Sequence, residues 1–244
     1  MELKIYSDYN NLSAAAADMI IDCVKTKPDA LLCFATGDTP KLAYQLVAEK
    51  AIKDKVDFSR SFIIGLDEWM GIPPDNTGSC HWFLHVYLFK PLNIDPSQIH
   101  LFNAFAKNEE AECKKMNKLI AVNGIDLMVV GVGMNGHIGF NEPGTDINSL
   151  AHVATLDETT VTVGQKYFKD KVSIGKGITV GLKQVMQTEK LLMMANGKKK
   201  APVIKRAVEE NVSNIFPATL IQQHKNAFLM IDDEAASELK TELK

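Results

Sequence analysis

The sequence predicts a doubly wound α/β fold: a mainly parallel sheet with helices on both faces, Rossmann-like in its three layers. Three observations carry this. First, ALLCFA (30–35), IDLMVVGV (125–132) and KLLMMA (190–195) are short, continuous apolar runs without polar alternation, the pattern of strands buried on both faces. Second, stretches of helical periodicity separate such runs, as parallel crossovers require. Third, TGDTP (36–40), DEW (67–69) and GMNGHIGFNEPGT (133–145) are polar or glycine-rich turns that follow apolar runs, and ligands of open α/β sheets sit outside the carboxyl ends of the strands.

In chain order, LKIYS (3–7) predicts the first strand, followed by a helix from about Leu12 to Lys25 and then by ALLCFA. KLAYQLVAEKAI (41–52) predicts a helix with Pro40 in its first turn, where a missing N–H costs nothing. SFIIGL (61–66) is a buried strand that delivers Asp67 to the sheet rim, residues 107–122 form a helix, and IDLMVVGV is the most strand-like run. ITVGL, KLLMMA and AFLMI (227–231) complete the sheet. Residues 145–176 are polar and irregular, interrupt the sheet pattern, and read as a lid. With 244 residues and 27.0 kDa, the chain fits one α/β domain over 1–244.

A hydrophobic share of 46% and a charged share of 23% are ordinary for a soluble globular protein. A net charge of -3 provides no bulk basic field for nucleic acid or an anionic membrane, so an anionic substrate needs a local cationic pocket. No apolar run is long enough to span a bilayer, and MELKIYSDYN lacks the pattern of a secretory signal. Cys23, Cys33, Cys80 and Cys113 are scattered without a CxxC pair, which in a chain of this size reads as reduced thiols and a cytoplasmic location.

The chemistry concentrates in GVGMNGHIGFNEPG (131–144). Its glycines permit sharp turns around His137, and Glu142 lies five residues on; a histidine held by a carboxylate is a usual general acid or base. Asp67 and Glu68 follow an apolar strand, one to face the site and the other away. Thr36, Gly37, Asp38 and Thr39 precede a helix whose N-terminus suits phosphate; the competing reading is a plain cap by Asp38 or Thr39. The string is neither a Walker A loop nor GxGxxG. Lys198, Lys199 and Lys200 open a helical pattern after a strand, where one lysine can reach a phosphate or all three can face solvent. Cys80, His81 and His85 invite a metal check, and His81 and His85 have ligand spacing on one helix face, but their aromatic neighbours favour a packed helix over a metal site.

Together ATGDTP, LDEWMGI with GSCHWF following, GVGMNGHIGFNEPGT, KYF (166–168) and NGKKKA (196–201) make the chain resemble the glucosamine-6-phosphate deaminase/isomerase family from about Ala14 to a last helix near Glu238. The resemblance implies aldose–ketose isomerisation and deamination of an amino sugar phosphate. The substrate is glucosamine 6-phosphate or its galacto epimer, and no cofactor or metal is implied. It implies that Asp67 is the base acting between C2 and C1, that His137 opens the ring, and that Glu142 is its acid partner. By the same resemblance Asn135, which cannot titrate, orients His137. Thr36, Gly37, Asp38, Thr39, Lys166 and Lys200 become phosphate-binding positions. Lys166 stands for a family arginine, Asp38 for a glycine, Trp69 for a tyrosine, and Val161 for an arginine of the allosteric branch. Two alternatives remain at this level: a 6-phosphogluconolactonase-type hydrolase and a non-catalytic sugar-phosphate sensor. The sequence leaves the oligomeric state open, a homo-oligomer included.

Overall fold

The structure, a computed structural model, describes residues 1–240. Ten strands run β1 Glu2–Tyr6, β2 Leu31–Phe34, β3 Phe62–Gly65, β4 Asp67–Trp69, β5 Ile99–His100, β6 Leu127–Val130, β7 His152–Thr155, β8 Lys176–Thr179, β9 Lys190–Ala195 and β10 Ala227–Asp232. The α-helices are α1 Tyr9–Thr26, α2 Asp38–Asp54, α3 Cys80–Leu84, α4 Lys90–Leu92, α5 Glu109–Asn123, α6 Glu158–Gly164, α7 Leu182–Met186 and α8 Ala201–Glu209.

Seven strands form one sheet in the order β1-β10-β9-β6-β2-β3-β5, with every pairing parallel. The pleat explains why these strands lack alternation. In β2, Leu32 and Phe34 join an apolar layer with Ile20 of α1 and Tyr44 of α2, while Leu31 and Cys33 join a second layer with Met116 of α5 and Ile204 of α8. Both faces of the strand are therefore dry, and the three-layer expectation holds.

Local chemistry places the elements. Asp8 caps α1 by accepting from the Asn11 N–H at 2.8 Å. Alanines 14–17 then give that helix a thin first half, which packs closely on α2. The helix after β2 starts earlier than the sequence predicts. Gly37 is its N-cap, so Asp38 is its first residue, and neither Asp38 nor Thr39 caps it. At φ 111 this position favours glycine, and an added Cβ would also meet the Tyr167 hydroxyl at 3.1 Å.

The ITVGL run does not join the parallel sheet. It forms β8, which pairs antiparallel with β4 and β7 in a separate three-stranded sheet. A short buried run is the same string in either sheet, so periodicity does not separate the two. The predicted lid, residues 145–176, is also more regular than expected, because it supplies β7, α6 and a 3₁₀ turn, Gln165–Tyr167. Leu156, Phe168 and Ile174 from it bury against Trp69 and Phe140 in a third apolar cluster. After β10 the chain makes turns, and among the described residues no helix forms near Glu238.

Candidate active site

A cleft of about 690 Å³ opens at the carboxyl ends of β2, β3, β6 and β9. It is lined by Thr36, Gly37, Asp38, Thr39, Asp67, His137, Lys166 and Lys200, so eight of the ten sequence-predicted site residues share one cleft. The other two, Asn135 and Glu142, stand behind His137.

Asp67 is placed by a change of sheet. Leu66 ends the path of β3, with its N–H donating to Phe34 O at 3.0 Å and its carbonyl accepting from Val180 N at 2.8 Å. The next residue already belongs to β4, opposite Thr179. Alternation then sends the two neighbouring acids to opposite sides. Asp67 faces the cleft, where burial first and the Glu68 charge second push its pKa up to about 7. Glu68 turns inward, only 3% exposed. Its Oε1 accepts from Trp69 N at 2.9 Å and Cys80 N at 3.0 Å, and its Oε2 accepts from His81 N at 2.8 Å. It ties the start of α3 to β4 and has no access to the cleft lining.

His137 lies flat over Gly133, where a Cβ would fall 2.3 Å from its Nε2; that close approach requires glycine. Its Nδ1 is 2.9 Å from Thr160 Oγ1 and 3.4 Å from Glu142 Oε2. Asn135 Nδ2 donates to the same Glu142 oxygen at 2.9 Å, and Asn135 Oδ1 accepts from His137 N at 3.3 Å. Burial works against the charge on Glu142, but the His137, Thr160 and Asn135 hydrogen bonds outweigh it and lower its pKa. Glu142 is therefore an anion beside the imidazole. With Nδ1 occupied, Nε2 is the ring nitrogen left for a ligand. The loop is pinned by Asn141, whose Nδ2 donates to Ile138 O and Val180 O, each at 2.8 Å.

At the other end of the cleft, Lys200 Nζ donates to the Val132 carbonyl and has no carboxylate partner among the described residues. Burial first, and then the Lys166 charge, lower its pKa to about 8. Lys166 pairs with Asp38 at 2.7 Å; burial opposes its charge, and the Asp38 bond raises its pKa overall. Thr39 Oγ1 donates to Asn196 Oδ1 at 2.7 Å, joining this rim to the turn after β9. Two cations meet one carboxylate here, an arrangement that attracts a polyanion.

Thr160, Cys80 and Tyr167 also line the cleft; the sequence does not mark Thr160, offers Cys80 only as a metal ligand, and shows Tyr167 only within KYF. Each comes from an element whose approach only the fold reveals. His81 and His85 fall in α3 and the π-helical turn after it, and among the described residues no group of three His, Cys, Asp or Glu is placed to hold a metal ion.

Comparison with known proteins gives the same neighbourhood. The profile of the glucosamine-6-phosphate isomerases/6-phosphogluconolactonase family matches residues 8–230. A glucosamine-6-phosphate deaminase of Thermoanaerobacter sp. (strain X514) is 37% identical over 239 residues, 97% of this chain and 94% of that protein. One from Clostridium botulinum (strain Loch Maree / Type A3) is 35% identical over 241 residues, 98% of this chain and 99% of that protein. Among solved structures, a monomeric glucosamine-6-phosphate deaminase superposes with TM-score 0.94 at 34% identity, covering 98% of this chain and 100% of that one. The 6-phosphogluconolactonase of Trypanosoma brucei reaches TM-score 0.79 at 17% identity, covering 98% of each chain, and shares the fold. The full-length match and the cleft it encloses make the chain a member of the glucosamine-6-phosphate isomerase/6-phosphogluconolactonase family.

Proposed function

We propose that this chain isomerises and deaminates a 2-amino-2-deoxyhexose 6-phosphate, releasing ammonia and a ketohexose 6-phosphate. The observation that carries this is a carboxylate of raised proton affinity, Asp67, facing the same cleft as a carboxylate-backed histidine and a half-buried lysine, Lys200, held by a backbone carbonyl. Full-length relatives bearing the deaminase name support it.

The substrate phosphate lies against Lys200, Lys166 and the turn Thr36–Thr39, which fixes the sugar with C2 over Asp67. His137, oriented through Nδ1 by Thr160, Glu142 and Asn135, assists transfer of the C1 hydroxyl proton to the ring oxygen, and the pyranose opens to the aldehyde. Asp67 then takes the C2 proton, leaving an enolamine, and returns it to C1. The resulting 2-imine adds water and expels ammonia. A base poised near neutral pH suits removal of a weakly acidic C–H proton. Substrate held at several points makes the transfer effectively intramolecular. The segment 145–176 carries α6 and Lys166 to the cleft, and we assign it the role of a lid over the bound phosphate. The four cysteines are free thiols, which supports a cytoplasmic location.

The test is exchange at C2. Asp67→Asn keeps the shape and removes the basicity. It is expected to abolish incorporation of solvent deuterium at C2, followed by NMR on a hexosamine 6-phosphate, while Glu68→Gln retains it. Near-normal exchange in Asp67→Asn overturns the assignment.

A further inference from the structure

Cys80 is a titratable group that none of the steps above uses, and it abuts the proposed base. Its Sγ lies 3.7 Å from Asp67 Oδ1 and accepts a hydrogen bond from Thr36 Oγ1 at 3.1 Å. Three elements meet there: the turn after β2, the first residue of β4 and the first residue of α3. The Cys80 backbone is fixed, since its N–H donates to the buried Glu68 carboxylate at 3.0 Å, and the residue is 5% exposed. Burial, followed by the charges of Glu68 and Asp67, pushes the thiol pKa well up. The sulfur therefore keeps its proton, and toward a carboxylate it acts as a donor rather than a nucleophile.

The titratable groups around Asp67 come from four elements: Glu68 on β4, Cys80 on α3, Cys33 on β2 and Tyr44 on α2. None of them is a cation. Of the influences on Asp67, burial and Glu68 disfavour its charge, and Cys80 alone favours it. We propose that Cys80 is a positioning residue: its S–H, backed by the Thr36 hydroxyl, holds the Asp67 carboxylate in the cleft as an anion. This rests on the reading of Asp67 as the base. Thr36 also belongs to the rim assigned to phosphate, so the Thr36–Cys80–Asp67 chain joins the phosphate end of the cleft to the base. A donor that itself receives a hydrogen bond is a stronger donor.

The experiment is a carboxyl ¹³C NMR titration of the full chain labelled at aspartate Cγ, with the Asp67 signal assigned by its loss in Asp67→Asn. Removing the donor in Cys80→Ala is expected to raise the Asp67 midpoint by roughly half a unit, a modest effect because a thiol is a weak donor. The acid limb of kcat/KM is expected to move by the same amount. Cys80→Ser keeps a donor and is expected to hold the midpoint at or below its original value. Thr36→Val is expected to raise it by less and to add nothing to Cys80→Ala. Unchanged midpoints in both Cys80→Ala and Thr36→Val overturn the proposal; if Cys80→Ala does not fold, Thr36→Val decides. The titration reads Asp67 without turnover. A shifted midpoint together with normal C2 exchange in Asp67→Asn would therefore overturn the base assignment instead.

Discussion

Asp67 and Glu68 are adjacent acids with opposite surroundings, and the difference comes from one strand's alternation. The sequence offers both as candidates, because a strand-to-loop carboxylate is often a cap. Glu68 turns out to be one, accepting three backbone N–H groups at the start of α3 and its neighbour Trp69. Asp67 binds its proton more tightly folded, near pH 7, than at its ordinary value of 3.8. Its ionisation therefore opposes folding: full stability is present below about pH 4, declines as pH rises, and levels off above 7. Asp67→Asn removes that charge. It is expected to be more stable than the parent at pH 8 by a few kcal/mol, at about 1.4 kcal/mol per unit, with the gap closing toward pH 4. Denaturant titrations at both pH values check this, and a gap independent of pH contradicts it. Lys200 is the matching case for a cation. Lys200→Ala is expected to raise KM for the phosphorylated sugar about tenfold or more with kcat nearly unchanged, since phosphate contacts hold ground and transition states alike. Asp67, His137, Glu142 and Lys200 were legible because glycines, prolines or strand ends mark them, whereas Lys166 came only from the family resemblance. Cys80 and Thr160 were not legible in these roles, because each acquires its meaning from a partner 13 or 23 residues away.

At the scale of elements, α6 and the small antiparallel sheet carry the consequences of what the sequence pattern misassigned. Residues 145–176 read as irregular because their strand and helix are short and bury only one side. In the fold they do two jobs. β7 backs β8, the strand that pairs with β4 and so with Asp67, while α6 delivers Thr160 to His137 Nδ1. Thr160 is 4% exposed, so its hydroxyl has little water to compete for it. Thr160→Val keeps the volume and deletes the bond. It is expected to lower kcat about tenfold, the worth of roughly one hydrogen bond, with KM little changed. Steady-state kinetics check this, and an unchanged kcat would show that Glu142 and Asn135 orient the ring without Thr160. The main sheet, by contrast, was legible nearly strand by strand. The continuous apolar run Leu127–Val130 buries both faces between two helical layers.

The whole molecule places its chemistry where the topology leaves room. The parallel strands present their carboxyl ends on one side, and the turns after β2, β3, β6 and β9 meet there around one cleft. Its two ends differ: cations stand over the helix α2 start, while a base and a carboxylate-backed imidazole stand over the centre. That asymmetry suits a sugar phosphate whose reacting carbons lie several bonds from its charge. The family also contains lactone hydrolases of the same fold, so activity itself separates the readings. The most direct measurement incubates the purified chain in parallel with glucosamine 6-phosphate, galactosamine 6-phosphate and 6-phosphogluconolactone, following ammonia, ketohexose phosphate and lactone opening. The account predicts ammonia and a ketohexose 6-phosphate in equal amounts from at least one amino sugar phosphate, with lactone opening at the uncatalysed rate. Catalysed lactone opening without ammonia from either amino sugar phosphate would contradict it.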